Sequence, residues 1–267
     1  MCPRPTALEE RRESADGYER TFLKLRHYPE APPIPDRPQG PFLANGAKGI
    51  SALQLSRDLG VQYKTAFVLA HKLREAMGAE MKDRKLNGHV EIDGAYFGGY
   101  VKPENVKAER KDRRLVKHQS GKRRAVVVMR ERKGRALTFV FPREDDAVPT
   151  ISRRVVPGST VYADEASGWD ELHARFALRR VSHSIAFVDE DCCTNQAESY
   201  FSRLRRAEIG THHHISGPYL YAYANEMAWR ENNRRRPNGA LYLLATSAAL
   251  AHPVSREWKG YWQRSPH

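Results

Sequence analysis

The sequence contains little cysteine and no long apolar run. Only three cysteines occur in 267 residues, at positions 2, 192 and 193. Three thiols cannot all pair within one chain, and a bridge between adjacent cysteines would be strained. We therefore expect no disulfide framework, and a reducing compartment. The longest apolar stretches, such as 125–129, are only strand-length, and residues 1–12 lack the apolar core of a secretory signal. These absences exclude a membrane-spanning helix and predict a cytoplasmic protein.

Acidic residues are also in deficit. The chain has 45 Lys and Arg against 32 Asp and Glu, which gives a formal charge of +13 and favours association with a polyanion. Residues 100–124 hold ten of these cations and three acids, a net charge of +7. A solvated loop is the ordinary interpretation of such a run, but its position beside the acids described below favours contact with phosphates. The candidate contacts are Lys122, Arg123 and Arg124.

The first 80 residues divide into two segments. Eight prolines interrupt residues 1–43, which we interpret as irregular and Pro-rich. In 44–80, apolar residues recur at helical spacing and predict two helices, with a capping box at Ser51 and Gln54 and a tight turn at Gly60. This pattern is typical of a helix-turn-helix, whose second helix would enter the major groove with Lys64 near the bases. A helical hairpin that only packs is the alternative.

The pattern changes to strands from residue 85. Alternating or continuous apolar runs predict five strands, a weak helix at 145–155, a helix at 168–177 and a long helix at 195–206. We therefore predict an α/β domain over 85–235, a mixed sheet flanked by helices, followed by a C-terminal tail at 236–267. The predicted strands are 89–97, 124–130, 137–141, 159–163 and 178–182.

Three acids stand out from this pattern. Asp93 lies in a strand that should be central, on the face opposite Val90 and Ile92, and Asp164 ends an apolar strand. A carboxylate in such a place is costly unless it is paired or binds a cation. Glu198 follows 34 residues after Asp164 and shares a helix face with Asn195. Carboxylates suit hard divalent ions, and Asp93, Asp164 and Glu198 are our candidate metal ligands.

These residues lie in stretches that resemble bacterial insertion-sequence transposases of the DDE type, in particular the ISXO-like group. The resemblance covers about residues 45–235, and its matching stretches are Glu91–Gly99, Tyr162–Glu165, Asn195–Arg205, Gly210–Ser216 and Tyr223–Arg230. It implies an RNase H-like fold and an enzyme that cuts DNA at the ends of its own element and joins them to target DNA.

The resemblance also implies roles for single residues. Asp93 and Asp164 match two metal-binding aspartates that hold two Mg²⁺ or Mn²⁺ ions. The third catalytic position is often asparagine in this group and would match Asn195, with Glu198 as the alternative. Arg205 matches a basic residue, usually lysine, that contacts the element's end. The implied partners are double-stranded DNA and further copies of the chain bound to that DNA. The resemblance implies no membrane association, and the expected location is the nucleoid.

The N-terminal part departs from the family. Relatives usually carry a zinc ribbon with two Cys-x-x-Cys pairs, whereas this chain has only Cys2 there, as a truncated element would. A DNA-binding remnant without turnover and an RNase H-like nuclease without strand transfer are therefore kept as alternatives. For His212, His213 and His214 the spacing is not that of a zinc site, and we expect DNA contact or packing.

Overall fold

The computed structural model describes residues 46–99, 104–111, 121–164, 167–181 and 194–264. The Pro-rich segment 1–43, all three cysteines and much of the basic run 100–124 lie outside this part of the chain. The helices are α1 (Ala52–Leu59), α2 (Tyr63–Ala79), α3 (Val148–Arg154), α4 (Asn195–Ala207), α5 (Gly217–Asn233) and α6 (Asn238–Ala251), and the strands are β1 (His89–Phe97), β2 (Arg124–Glu131), β3 (Ala136–Phe141), β4 (Thr160–Asp164) and β5 (Ala177–Val181).

The five strands form one mixed sheet in the order β3-β2-β1-β4-β5. Strands β1, β2 and β3 are antiparallel, whereas β4 and β5 run parallel to β1. Strands β2 and β3 are joined by a tight turn, Lys133-Gly134, in which Lys133 has a φ of 63°. The Lys-Gly pair between two apolar runs is a local turn signal in the sequence. The α/β class and the central position of β1 are confirmed, and the arrangement is consistent with an RNase H-like fold.

Helices cover the sheet on both faces. Helices α4 and α5 pack against β1, β2 and β3. Helix α3 packs against a 3₁₀ segment, Ser167–Ala174, and Ile151, Trp169 and Leu172 enter the core from these two elements. Residues 125–129 of β2 are completely buried, as expected of a strand covered on both faces. The helical stretch predicted at 168–177 is a 3₁₀ segment that ends at Ala174, and β5 begins three residues later.

Helices α1 and α2 are joined by a tight turn. The Ser51 hydroxyl accepts a hydrogen bond from the Gln54 amide at 3.1 Å, which is half of the predicted capping box. The Gln54 side chain instead donates to Asp58 at 2.6 Å, so the reciprocal half is not formed. Gly60 ends α1 with a φ of 63°, as predicted.

The C-terminal segment is more than the tail that we expected. Within 236–267, helix α6 packs on α2, and Trp258 is buried. Leu-Ala-rich α6 has little polar patterning, so its sequence carries no amphipathic signal of the kind that marks the other helices. In the described part of the chain no helix is long and apolar enough to cross a membrane.

Candidate active site

Asp93 and Asp164 lie at the same edge of the sheet. Parallel strands β1 and β4 pair His89 with Thr160 and Glu91 with Tyr162. Continuing this register by two residues sets Asp93 beside Asp164. Alternation along each strand directs both side chains to the same face. The indole Nε1 of Trp169 donates to Asp164 Oδ1 at 2.9 Å and orients that carboxylate.

Asp93 lies in a strongly acidic environment. Burial raises its pKa to about 7, the hydrogen bond from the Gly94 amide opposes this rise, and the charges of Asp164, Glu198 and Glu144 add to it. The amide of Gly94 donates to Asp93 Oδ1 at 2.8 Å. A buried carboxyl with a raised pKa beside other carboxylates marks a candidate functional site.

Helix α4 brings Asn195 and Glu198 to this edge. Both side chains are exposed on one face of its first turns. The hydroxyl of Thr194 donates to Glu198 Oε1 at 3.2 Å. Because the charge of Glu198 raises the pKa of Asp93, the carboxylate lies close enough to act on it.

A further carboxylate at this edge, Glu144, was not recognised in the sequence. It follows β3, and its side chain occupies the space over Gly94: a Cβ added to Gly94 would lie 2.7 Å from Glu144 Cδ. Burial, with the charges of Asp164 and Asp145, raises the pKa of Glu144. The signal used for Asp164, an acid that ends an apolar strand, does not mark Glu144, because Pro142 and Arg143 separate it from the end of β3.

Cationic side chains lie around the end of β1, three and four residues beyond Asp93. The Arg205 guanidinium lies 5.9 Å from the ring centroid of Phe97, and Arg205 is exposed seven residues after Glu198. Arg123 lies over Tyr96 at 5.0 Å, and Arg124 pairs with Phe97 in the sheet. Lys122 is also exposed there. Four of the five predicted DNA contacts therefore surround the end of β1.

The fifth, Lys64, lies at the start of α2 and away from this edge. Its carbonyl accepts from Trp262 Nε1 at 3.1 Å, and its ammonium lies 5.4 Å from the Trp262 ring. One face of α2 is buried against α5 and α6, and Gln62, Tyr63 and Lys64 stay exposed at its first turn. The C-terminal segment therefore shares the surface expected to face DNA.

Of the three consecutive histidines, His213 and His214 are exposed, whereas His212 is partly buried. Trp229 of α5 is buried in the core. His212 lies 4.6 Å from the ring of Tyr223, and burial lowers its pKa to about 4, against a rise from the charge of Glu226. These contacts support packing for His212.

The donor chemistry at the acidic edge fits a hard divalent cation. Carboxylate oxygens are the ligands that Mg²⁺ prefers. A cation would stabilise the ionised form of Asp93, whose pKa is raised by burial and then by the neighbouring carboxylates. Within the described residues, no three His, Cys, Asp or Glu side chains come close enough to hold one ion.

Comparison with known proteins identifies the family of the chain. The model of a family described as the ISXO2-like transposase domain matches residues 85–232, more than half of the chain. No protein of curated function matches the chain. DDE transposases of this kind act on DNA and generally use divalent metal ions. The chain belongs to the ISXO2-like transposase family, the insertion-sequence transposases of the DDE type, whose general function is DNA transposition.

Proposed function

We propose that this chain catalyses divalent-metal-dependent cleavage and strand transfer at the ends of an insertion sequence. The observation that supports the proposal is the register that sets Asp93 of the central strand beside Asp164. Burial, and then the charges of Asp164 and Glu198, raise the pKa of Asp93 there. Several carboxylates close together on a sheet lower the stability of the fold. Such a group is typical of a metal-dependent phosphoryl-transfer site.

Asp93, Asp164 and Glu198 would hold two Mg²⁺ or Mn²⁺ ions. Bound ions of this kind activate water or a 3′-hydroxyl for in-line attack on a phosphodiester and stabilise the leaving oxygen. The protein's part is positioning. Trp169 orients Asp164 at 2.9 Å, and Thr194 orients Glu198 at 3.2 Å.

Glu198 rather than Asn195 is our choice for the third catalytic position. Its charge acts on Asp93, whereas a neutral amide adds no negative charge to the site. Asn195 shares the exposed face of α4 and would lie against the same DNA strand or ion.

The surrounding cations would hold the DNA. Arg123, Arg124 and Arg205 lie around the end of β1, beyond Asp93, with Lys122 next to them in the chain. We assign these four cations to the phosphates of the element's end. The exposed start of α2 with Lys64 would contact a second stretch of double-stranded DNA, as in a helix-turn-helix. Because two element ends must be joined to one target, we expect a homo-oligomer on DNA.

The test uses a duplex that carries the inverted repeat read from DNA flanking the gene. With Mn²⁺, the wild type should nick this duplex and join it to a second duplex, and Asp93→Ala should do neither. Wild-type activity no greater than that of Asp93→Ala refutes the proposal. Salt-dependent DNA binding without any product would identify a remnant, and cleavage without joining would identify a nuclease.

The same assay separates the two candidates on α4. Glu198→Gln should lower the rate at least about 100-fold, because it removes a metal-binding charge, whereas Asn195→Ala should retain most of it. The reverse order of effects would assign the third position to Asn195.

A further inference from the structure

The N-terminus of α4 is not capped by its own sequence. Thr194 precedes the helix, but its side chain makes no capping hydrogen bond and instead donates to Glu198. The first amides of a helix have no partner within the helix, and one that stays unpaired while buried is costly. The partner of these amides comes from the sheet.

Glu91 takes the place of the missing cap. Its side chain is completely buried, and Oε2 accepts from the amides of Gln196 at 2.9 Å and Ala197 at 3.2 Å. These are the amides that a capping side chain normally satisfies, and a negative charge at this end is also favoured by the helix dipole. Its neighbour in the sheet, Arg130, donates to the Gln196 side chain at 3.1 Å.

The Glu91 carboxylate is also linked, through Arg132, to β4, the strand that carries Asp164. Arg132 donates to Glu91 Oε1 at 3.1 Å, and its guanidinium lies 3.9 Å from the ring centroid of Tyr162. Tyr162 lies two residues before Asp164 on β4, and Glu91 lies two residues before Asp93 on β1. One buried side chain therefore connects all three elements that carry the acids.

We propose that Glu91 is a positioning residue that holds the first turn of α4, and with it Glu198, against Asp93 and Asp164. This inference rests on the proposed metal-dependent function. A carboxylate is suited to this role because one oxygen accepts both helix amides while the other pairs with Arg132. The two α4 amides that donate to Glu91 are 105 and 106 residues away in the sequence, and Arg132 is 41 residues away.

The experiment compares Glu91→Ala and Glu91→Gln with the wild type of the full chain. Mn²⁺ affinity is measured from the electron paramagnetic resonance signal of free Mn²⁺, without DNA. Glu91→Ala should weaken the Mn²⁺ affinity at least about tenfold, which is the loss usually seen when a residue that orients a metal ligand is removed. Glu91→Gln keeps an acceptor oxygen for the helix amides and should recover a large part of the loss.

Glu226→Gln is the matched control. Glu226 is also a buried carboxylate between two arginines, but it contacts α2 and α5 and not α4. The Glu226→Gln variant should lower the melting temperature about as much as Glu91→Ala does, and it should leave the Mn²⁺ affinity unchanged. An equal loss of affinity in both variants, or none in Glu91→Ala, would show that Glu91 only supports the fold and would overturn the inference.

Amide hydrogen exchange tests the contact between Glu91 and the first turn of α4 independently of the metal. In Glu91→Ala the amides of Gln196 and Ala197 should exchange faster, with the rest of the sheet unchanged. Unchanged exchange in α4 would contradict the inference. A wild type that binds no Mn²⁺ refutes the metal site of the proposed function instead, and the exchange result still decides the role of Glu91.

Discussion

Asp93 is the residue at which the proposed function opposes stability. Its pKa of about 7 lies well above the ordinary value of 3.8, so the folded chain binds the proton more tightly than the unfolded chain. The free energy of unfolding should therefore fall as the pH rises from about 4 to about 7. Above pH 7 this cost is complete, because the carboxylate is then ionised in both states.

Asp93→Asn should remove this pH dependence. The variant should be about as stable as the wild type at pH 4 and about 2–4 kcal/mol more stable at pH 8, since one pKa unit corresponds to about 1.4 kcal/mol. Urea unfolding at both pH values, with EDTA present, measures the difference. The control is Asp83→Asn, the same substitution at an exposed aspartate. An equal difference in stability between Asp93→Asn and the wild type at both pH values would contradict the prediction.

The sequence identified the site residues that break a local pattern and missed those defined by distant contacts. Asp93 and Asp164 interrupt apolar strands, and a carboxylate there is visible without any structure. Glu91 looks like an ordinary polar position of the same alternating strand. Its role depends on helix amides 105 and 106 residues away, and no local pattern reports them.

At the scale of elements, local chemistry predicted most of the sheet. Strand β1 was predicted with its observed bounds, and β2 and β3 within one residue, because alternation and the turn at Lys133 are local signals. Helix α6 was missed because it is apolar on nearly all sides and packs on α2, a contact between segments about 180 residues apart. Packing of this kind overrides the patterns from which helices are recognised.

The turn between α1 and α2 gives a prediction on this scale. Gly60 has a φ of 63°, and a Cβ there would meet nothing within 4 Å. Gly60→Ala should therefore lower the free energy of unfolding by about 1 kcal/mol through backbone strain alone. Gly239→Ala is the matched control: it also has open space, but it lies in the first turn of α6 without a positive φ, so it should be neutral or stabilising. Urea denaturation compares them, and equal effects would contradict the prediction.

On the scale of the whole molecule, the N-terminal helices are joined to the catalytic domain by buried charge. Arg74 of α2 donates to Glu226 of α5 at 2.6 Å, and Arg230 pairs with the same carboxylate. Burial would raise the pKa of Glu226, but the two arginines outweigh it and hold the pKa at about 2. Arg230 also donates to the carbonyl of Gly46. The surfaces expected to contact DNA at α2 and at the acidic edge therefore belong to one packed body.

The excess charge of +13 should act through the edge that carries the acids. There Arg123 lies over Tyr96 beside the end of β1, and removing one cation that binds a phosphate should make the slope of log K against log salt shallower by about 0.9. Arg123→Gln should therefore weaken binding of a duplex and reduce the slope by about that amount. Arg135→Gln is the matched control, because exposed Arg135 lies by the β2–β3 turn at the opposite end of the sheet. Fluorescence anisotropy between 50 and 300 mM salt, about the range in which such slopes are resolved, measures both variants. If the two variants change the slope equally, the charge acts without a preferred surface, and the acidic edge is not where DNA binds.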